Sequence, residues 1–191
     1  MSRFLYRMNK QGSVFYMNYG TIKKYDIANG TGVRVSLFVS GCTHHCAGCF
    51  NSETWDFNYG KQYTSETQAE ILAALDFGHI SGLTLIGGEP MEPENQRVLI
   101  KLVKEVKKSF PDKNIWCYTG YNFENELLKN SRARCEVTDE LLRHIDIIVD
   151  GKFEIDKRNL MLKFRGSENQ RIILVQESLY TGKTVLSELN N

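Results

Sequence analysis

No stretch of this sequence approaches the roughly 18 to 20 consecutive apolar residues of a membrane span. The opening segment, MSRFLYRMNKQGSVFYMNYG, lacks the apolar core of a signal peptide. The expectation is a cytoplasmic protein with no membrane partner. An excess of charge of one sign is missing too: 24 basic and 23 acidic side chains leave a formal charge of +1, which removes any general reason to expect nucleic acid as a partner. Internal repeats and low-complexity segments are absent. So is an even set of cysteines: there are five, three of them packed into eight positions, which fits a disulfide framework poorly and a metal or cluster site well.

With 191 residues, 41% of them hydrophobic, the chain can bury one sizeable core and would be cramped as two domains. Apolar periodicity alternates strands and helices. Strands are expected at Val33 to Val39, Leu83 to Ile86, Ile115 to Tyr118, Ile145 to Val149 and Ile172 to Val175. Ser65 with Gln68 resembles a capping box opening a helix through Leu75, and Val98 to Phe110 has helical spacing, ended with the help of Pro111. Shorter helical stretches fall at Phe123 to Leu128 and Thr138 to His144. Lys101, Lys104, Lys107 and Lys108 read as a solvated helix face.

Strands separated by helices imply a parallel sheet whose ligands bind beyond the carboxyl ends of the strands. The unusual residues all fall at that end. Five or six strands are too few for a closed eight-stranded barrel, so the expected fold is α/β, a partial, laterally open TIM-like (β/α) barrel of about five to six parallel strands. Residues 1–20 read as an N-terminal extension or edge strand and 177–191 as a polar C-terminal tail.

Cys42, Cys46 and Cys49 have the spacing C-x3-C-x2-C in the loop after the first core strand. Thiolates suit Fe–S clusters, Zn or Cu(I). Structural zinc takes four protein ligands, and His44 or His45 could supply the fourth. Against this, zinc knots use paired C-x2-C units, and a histidine between two cysteine ligands must fold back sharply to complete the same tetrahedron. A cubane cluster on three thiolates keeps one iron open to a small-molecule ligand. Cys117 and Cys135 are isolated and read as small apolar residues. Arg34, on the first core strand, is left unassigned.

This spacing resembles the radical S-adenosylmethionine enzymes, although many of those carry an aromatic residue where this chain has Gly48. The segment Gly41-Cys42-Thr43-His44-His45-Cys46-Ala47-Gly48-Cys49-Phe50-Asn51 resembles more narrowly the activase family of the anaerobic ribonucleoside-triphosphate reductases. The likeness continues through Asn29 to Arg34, Thr54-Trp55, Gly87-Gly88-Glu89-Pro90, Tyr118 to Tyr121, Val149 to Phe153 and Phe164 to Arg171. It implies a radical S-adenosylmethionine domain over residues 21–176.

The resemblance also implies an iron–sulfur oxidoreductase that activates a glycyl-radical enzyme. A [4Fe-4S] cluster on Cys42, Cys46 and Cys49 would cleave S-adenosylmethionine to a 5'-deoxyadenosyl radical, which takes hydrogen from a glycine of the reductase. The protein partner would be that reductase, with reduced flavodoxin or a similar donor supplying electrons. Gly87, Gly88 and Glu89 would hold the methionine amino group, and Gly48, Cys49 and Phe50 would touch the adenine or methionine portion. Thr119, Asp150 and Lys152 are candidates for the ribose or carboxylate. Rival readings are another radical enzyme, such as an activase of pyruvate formate-lyase or a maker of a small modified nucleoside, and a zinc-stabilised binding module.

Overall fold

A computed structural model describes residues 15–190. The expected N-terminal extension therefore lies mostly outside the described residues. Seven strands form one open sheet in the order β3-β1-β2-β4-β5-β6-β7. They are β1 (Asn18–Asp26), β2 (Val33–Val39), β3 (Lys61–Gln62), β4 (Ile80–Gly87), β5 (Asn114–Tyr118), β6 (Ile147–Asp150) and β7 (Arg171–Leu174).

Among these, β2, β4, β5 and β6 pair parallel with one another. β1 and β3 pair antiparallel on one side, and β7 pairs antiparallel with β6 on the other. The expected five to six parallel strands are thus four in a mixed sheet. The difference at β7 has a plain cause. A parallel return needs a crossover helix, whereas residues 151–170 hold only the short turn Ile155–Lys157, and the chain comes back as a wide hairpin with Asp150 opposite Arg171. β1 begins inside the expected extension or edge strand and runs on to Asp26, through a Thr-Ile-Lys-Lys-Tyr-Asp run whose mixed exposed and buried positions carry no strand periodicity.

Helices α1 (Ser65–Leu75), α2 (Pro93–Ser109) and α3 (Thr138–Leu142) pack against one face of the sheet. Val35, Leu37, Val39, Leu83, Leu85, Ile115, Cys117, Ile148 and Ile173 meet them there. Each such fully buried aliphatic side chain contributes about 1.5–3 kcal/mol. The cap of α1 is Thr64, not Ser65: its side chain accepts from Thr67 N while the Thr67 hydroxyl accepts from Thr64 N. Pro93 opens α2 at a position where its missing N–H costs nothing. Lys104 and Lys107 do not simply face water, since they pair with Glu140 on α3 and with Asp146.

Alternate residues of the same strands face the other way, and there the side chains change character. Arg34 is fully buried. It donates to Thr84 Oγ1, Leu83 O, Thr31 O and both oxygens of Asn114, with its guanidinium 5.4 Å over the Trp116 ring. Trp116, Val149 and Ile172 form a second small core here with Phe164 and Leu189. The tail is not loose: Leu174 N donates to Val185 O, Ser187 N to Ile172 O, and Ile172 N to the Asn190 side chain, ahead of which α4 (Val175–Thr181) closes on Gly182.

Candidate cluster and cofactor site

The cysteine loop leaves β2 at the carboxyl end of the parallel strands and is fastened at its root. Gly41 N donates to Thr54 O and Cys42 N to Trp55 O, which folds the loop back onto the turn Ser52–Trp55. Cys49 N donates to Cys46 O, a tight turn that draws the last two cysteines together. All three thiols are free, with Cys42 buried and the others half-buried. Burial, aided by the charge of Glu89, pushes the Cys42 thiol up to about 12, and burial raises Cys46 as well. A thiolate at either position would therefore need a cationic centre to displace its proton.

Gly87-Gly88-Glu89 meets this root directly. Gly88 N donates to Val39 O at 2.7 Å and Glu89 N to Gly41 O at 2.8 Å. Gly87 has φ +107°, and a Cβ there would stand 2.7 Å from the backbone of Phe38 and Val39. A Cβ on Gly88 would stand 2.7 Å from Gly41 O and 2.8 Å from Thr54 O. The close approach that these glycines permit is thus to the end of β2 and the root of the cysteine loop, where sequence reasoning had placed a ligand.

Glu89 is 1% exposed, and its carboxylate is a hub. Oε1 accepts from Met91 N, and Oε2 accepts from Gly120 N at 2.7 Å and from His44 Nε2 at 2.9 Å. One side chain thereby ties the cysteine loop, its own turn and the end of β5. Asn95 on α2 adds a second tie by donating to Ser40 O and Glu89 O. Glu92 accepts from the backbone and hydroxyl of Thr43, and Arg132 reaches the same hydroxyl at 2.9 Å. Sequence reasoning missed His44 as a partner of Glu89, and missed Asn95, Glu92 and Arg132. The available signal was polar residues at the buried start of α2, immediately after a Gly-Gly turn.

The two histidines of the loop lie against neighbouring side chains. His44 is bound to Glu89 and meets the Tyr121 ring edge-on, and His45 stacks on Trp55 at 4.7 Å. Among the described residues no three His, Cys, Asp or Glu converge on a single-ion site.

A cavity of about 460 Å³, within the range of small-molecule sites, opens between the loop and the inner face of the sheet. Its wall brings together Cys42, Cys46, Cys49, Phe50, Gly87, Gly88, Glu89 and Thr119. Three other expected contacts are not on that wall. Asp150 is buried and already committed: its carboxylate accepts from Phe123 N and pairs with Arg171. Lys152 is exposed outside the lining, and Gly48 sits at φ +71° against Ile155 and Phe153.

Residues 28–173 match the family described as a 4Fe-4S single cluster domain, a span running from the turn before β2 into β7. The chain is 44% identical over 158 residues to the anaerobic ribonucleoside-triphosphate reductase-activating protein of Enterobacteria phage T4, covering 82% of this chain and 93% of that one. Its likeness to the protein of the same name from Pasteurella multocida is 45% over 158 residues, or 82% and 96% of the two chains. For that from Escherichia coli K12 it is 40% over 156 residues, or 81% and 96%. The chain belongs to the family of anaerobic ribonucleoside-triphosphate reductase-activating proteins. Within the activating-protein family the 4Fe-4S match encloses all three cysteines and the Gly87-Gly88-Glu89 turn. No helix among the described residues is long and apolar enough to cross a membrane.

Proposed function

We propose that this chain activates the anaerobic ribonucleoside-triphosphate reductase by generating a glycyl radical on it, using a [4Fe-4S] cluster on Cys42, Cys46 and Cys49 with S-adenosylmethionine as cosubstrate. The observation that carries the reading is that three free thiols share one cavity wall with Gly87, Gly88 and Glu89, in a chain whose relatives are named for that activation. When bound, the cluster supplies the electron that cleaves S-adenosylmethionine to a 5'-deoxyadenosyl radical.

The donor set suits such a cluster: three soft thiols, unpaired with one another, share one cavity wall. The wall also suits a polar ligand. His44 Nδ1, Trp55 Nε1, the Tyr118 hydroxyl and Arg165 Nε are buried without a hydrogen-bond partner, and all four residues line the cavity. Buried polar groups left unpaired cost about 1–3 kcal/mol each, a cost that a bound ligand with complementary groups removes. In this reading Glu89 and the Gly87-Gly88 backbone orient the amino group, Phe50 and Cys49 lie along the ligand, and Thr119 faces its ribose or carboxylate. A reduced flavodoxin or similar protein is the electron donor, and the reaction takes place in the cytoplasm.

The test is anaerobic reconstitution, mixing with the reductase and S-adenosylmethionine under reduction, and electron paramagnetic resonance. A glycyl radical on the reductase is expected. Replacing Cys42, Cys46 or Cys49 by Ala abolishes both the brown colour and the radical, and Cys117→Ala preserves both. About one zinc and no sulfide per chain, or a radical on pyruvate formate-lyase and none on the reductase, overturns the proposal.

A further inference from the structure

The β6–β7 connection ends in a projecting hairpin, closed at its root by an antiparallel bridge between Arg158 and Ser167. At its tip Leu160 is 78% and Met161 is 89% exposed, and Phe50 (61%) and Ile155 (42%) are exposed beside its root. Single exposed apolar residues are ordinary, but a group of four around one feature marks an interaction surface.

The root of this hairpin rests on the cysteine loop. The Phe50 ring lies 5.4 Å from that of Phe153, the Arg158 guanidinium lies 5.2 Å over Phe50, and a Cβ on Gly48 would come within 2.8 Å of Ile155 Cδ1. Immediately after the tip, Leu162, Phe164 and Arg165 line the same cavity as the cysteines. Any partner seated on Leu160 and Met161 therefore has its adjoining backbone at the cavity mouth.

Lys157, Arg158, Lys163 and Arg165 fall within residues 157–165, the outer part of the hairpin, while its acidic residues, Glu154, Asp156 and Glu168, stand at the root. Lys157 pairs with Glu154, and the end of Arg165 is taken by Gln170 O and Asn190 O, which leaves exposed Arg158 and Lys163 flanking the apolar tip.

We propose that this hairpin, with Phe50, is the docking lip for the protein substrate and receives an apolar side chain flanked by carboxylates on the reductase. This deepens the function proposed above and rests on it. Apolar anchors supply most of the binding energy at such a surface, and rim charges set the salt dependence and the rate of encounter.

The test uses the cluster-loaded full chain, measuring anaerobic binding to the reductase and radical yield. The double variant L160D/M161D weakens binding by roughly tenfold or more, with cluster absorbance and uncoupled S-adenosylmethionine cleavage unchanged. Lys163→Glu weakens binding a few-fold and flattens its salt dependence, and L160M/M161L behaves as the parent. A double variant that binds and activates like the parent overturns the lip while leaving the function standing. Loss of cluster absorbance in the double variant, or equal loss in L160M/M161L, makes the tip structural and overturns it too. If the parent partitions onto phosphatidylglycerol vesicles and the double variant does not, with reductase binding equal in both, the occupant is lipid and the proposal fails. A parent chain that raises no radical on the reductase sinks the functional reading itself, a distinguishable result.

Discussion

The two faces of the parallel strands are made by alternating residues of the same few segments, yet they follow opposite rules. On the helix side Leu37, Leu83, Leu85 and Ile115 are apolar, fully buried and packed by α1 to α3. On the other side Arg34, Ser36, Thr84, Trp116 and Tyr118 are just as shielded or nearly so, but they carry polar atoms, several without partners. The first face holds the fold together. The second tolerates unpaired polar atoms beside a cavity, and in natural proteins that pattern marks a site where something binds.

The contrast can be broken by substitution. Leu85→Ala, on the packed face, costs about 2–5 kcal/mol in thermal or urea unfolding. It leaves cofactor affinity in the surviving folded fraction unchanged; an equal loss of affinity would mean that the faces are not separable. Gly88→Ala lies between them, because its new methyl meets two backbone oxygens. It destabilises by about 1–3 kcal/mol and lowers the iron and sulfide retained after reconstitution; full retention would show that the loop and turn can move apart.

Two smaller effects sharpen the comparison. Arg171 holds the Glu124 carboxyl down to about 2, chiefly through the bidentate pair between them. A carboxyl depressed in the folded state stabilises the protein above the ordinary carboxylate pKa, and that stability fades as the pH falls toward 2. Glu124→Gln therefore shallows the loss of melting temperature between about pH 5 and 2.5. The effect is small because the pair is partly exposed. Tyr118→Phe should stabilise the ligand-free protein by about 1 kcal/mol, since its buried hydroxyl has no partner to lose and its removal ends the cost of leaving it unpaired. It should weaken S-adenosylmethionine binding in calorimetric titration; a destabilised variant with unchanged affinity would assign the hydroxyl to the fold.

The packed face was readable in the amino-acid order because apolar runs are local, and β2, β4, β5, β6 and β7 all lie close to where periodicity puts them. Strand direction was not, because nothing inside Arg171–Leu174 encodes which way it meets β6. The cap of α1 moved by one residue since Thr64 and Ser65 are both good caps, and only the extended backbone of Thr64 decides. At the site, the cysteines and the Gly87-Gly88-Glu89 turn stood out through spacing. The roles of Arg34, Asp150 and Glu89 did not, because their partners are distant in the chain: Asn114, Arg171, Gly120 and His44. A charged residue at a strand end looks the same whether it awaits a ligand or serves a neighbour.

The hairpin return into β7 gives the fold unequal freedom to vary. A helix crossover must match the pitch of the sheet it covers, whereas lengthening a surface loop costs only about 0.6 kcal/mol per doubling. Insertions and deletions near Leu160 and Met161 should therefore be cheap beside any change in β4 or β5. One wall of the cavity can be redrawn over evolutionary time to suit a new partner without refolding the part that holds the cysteines.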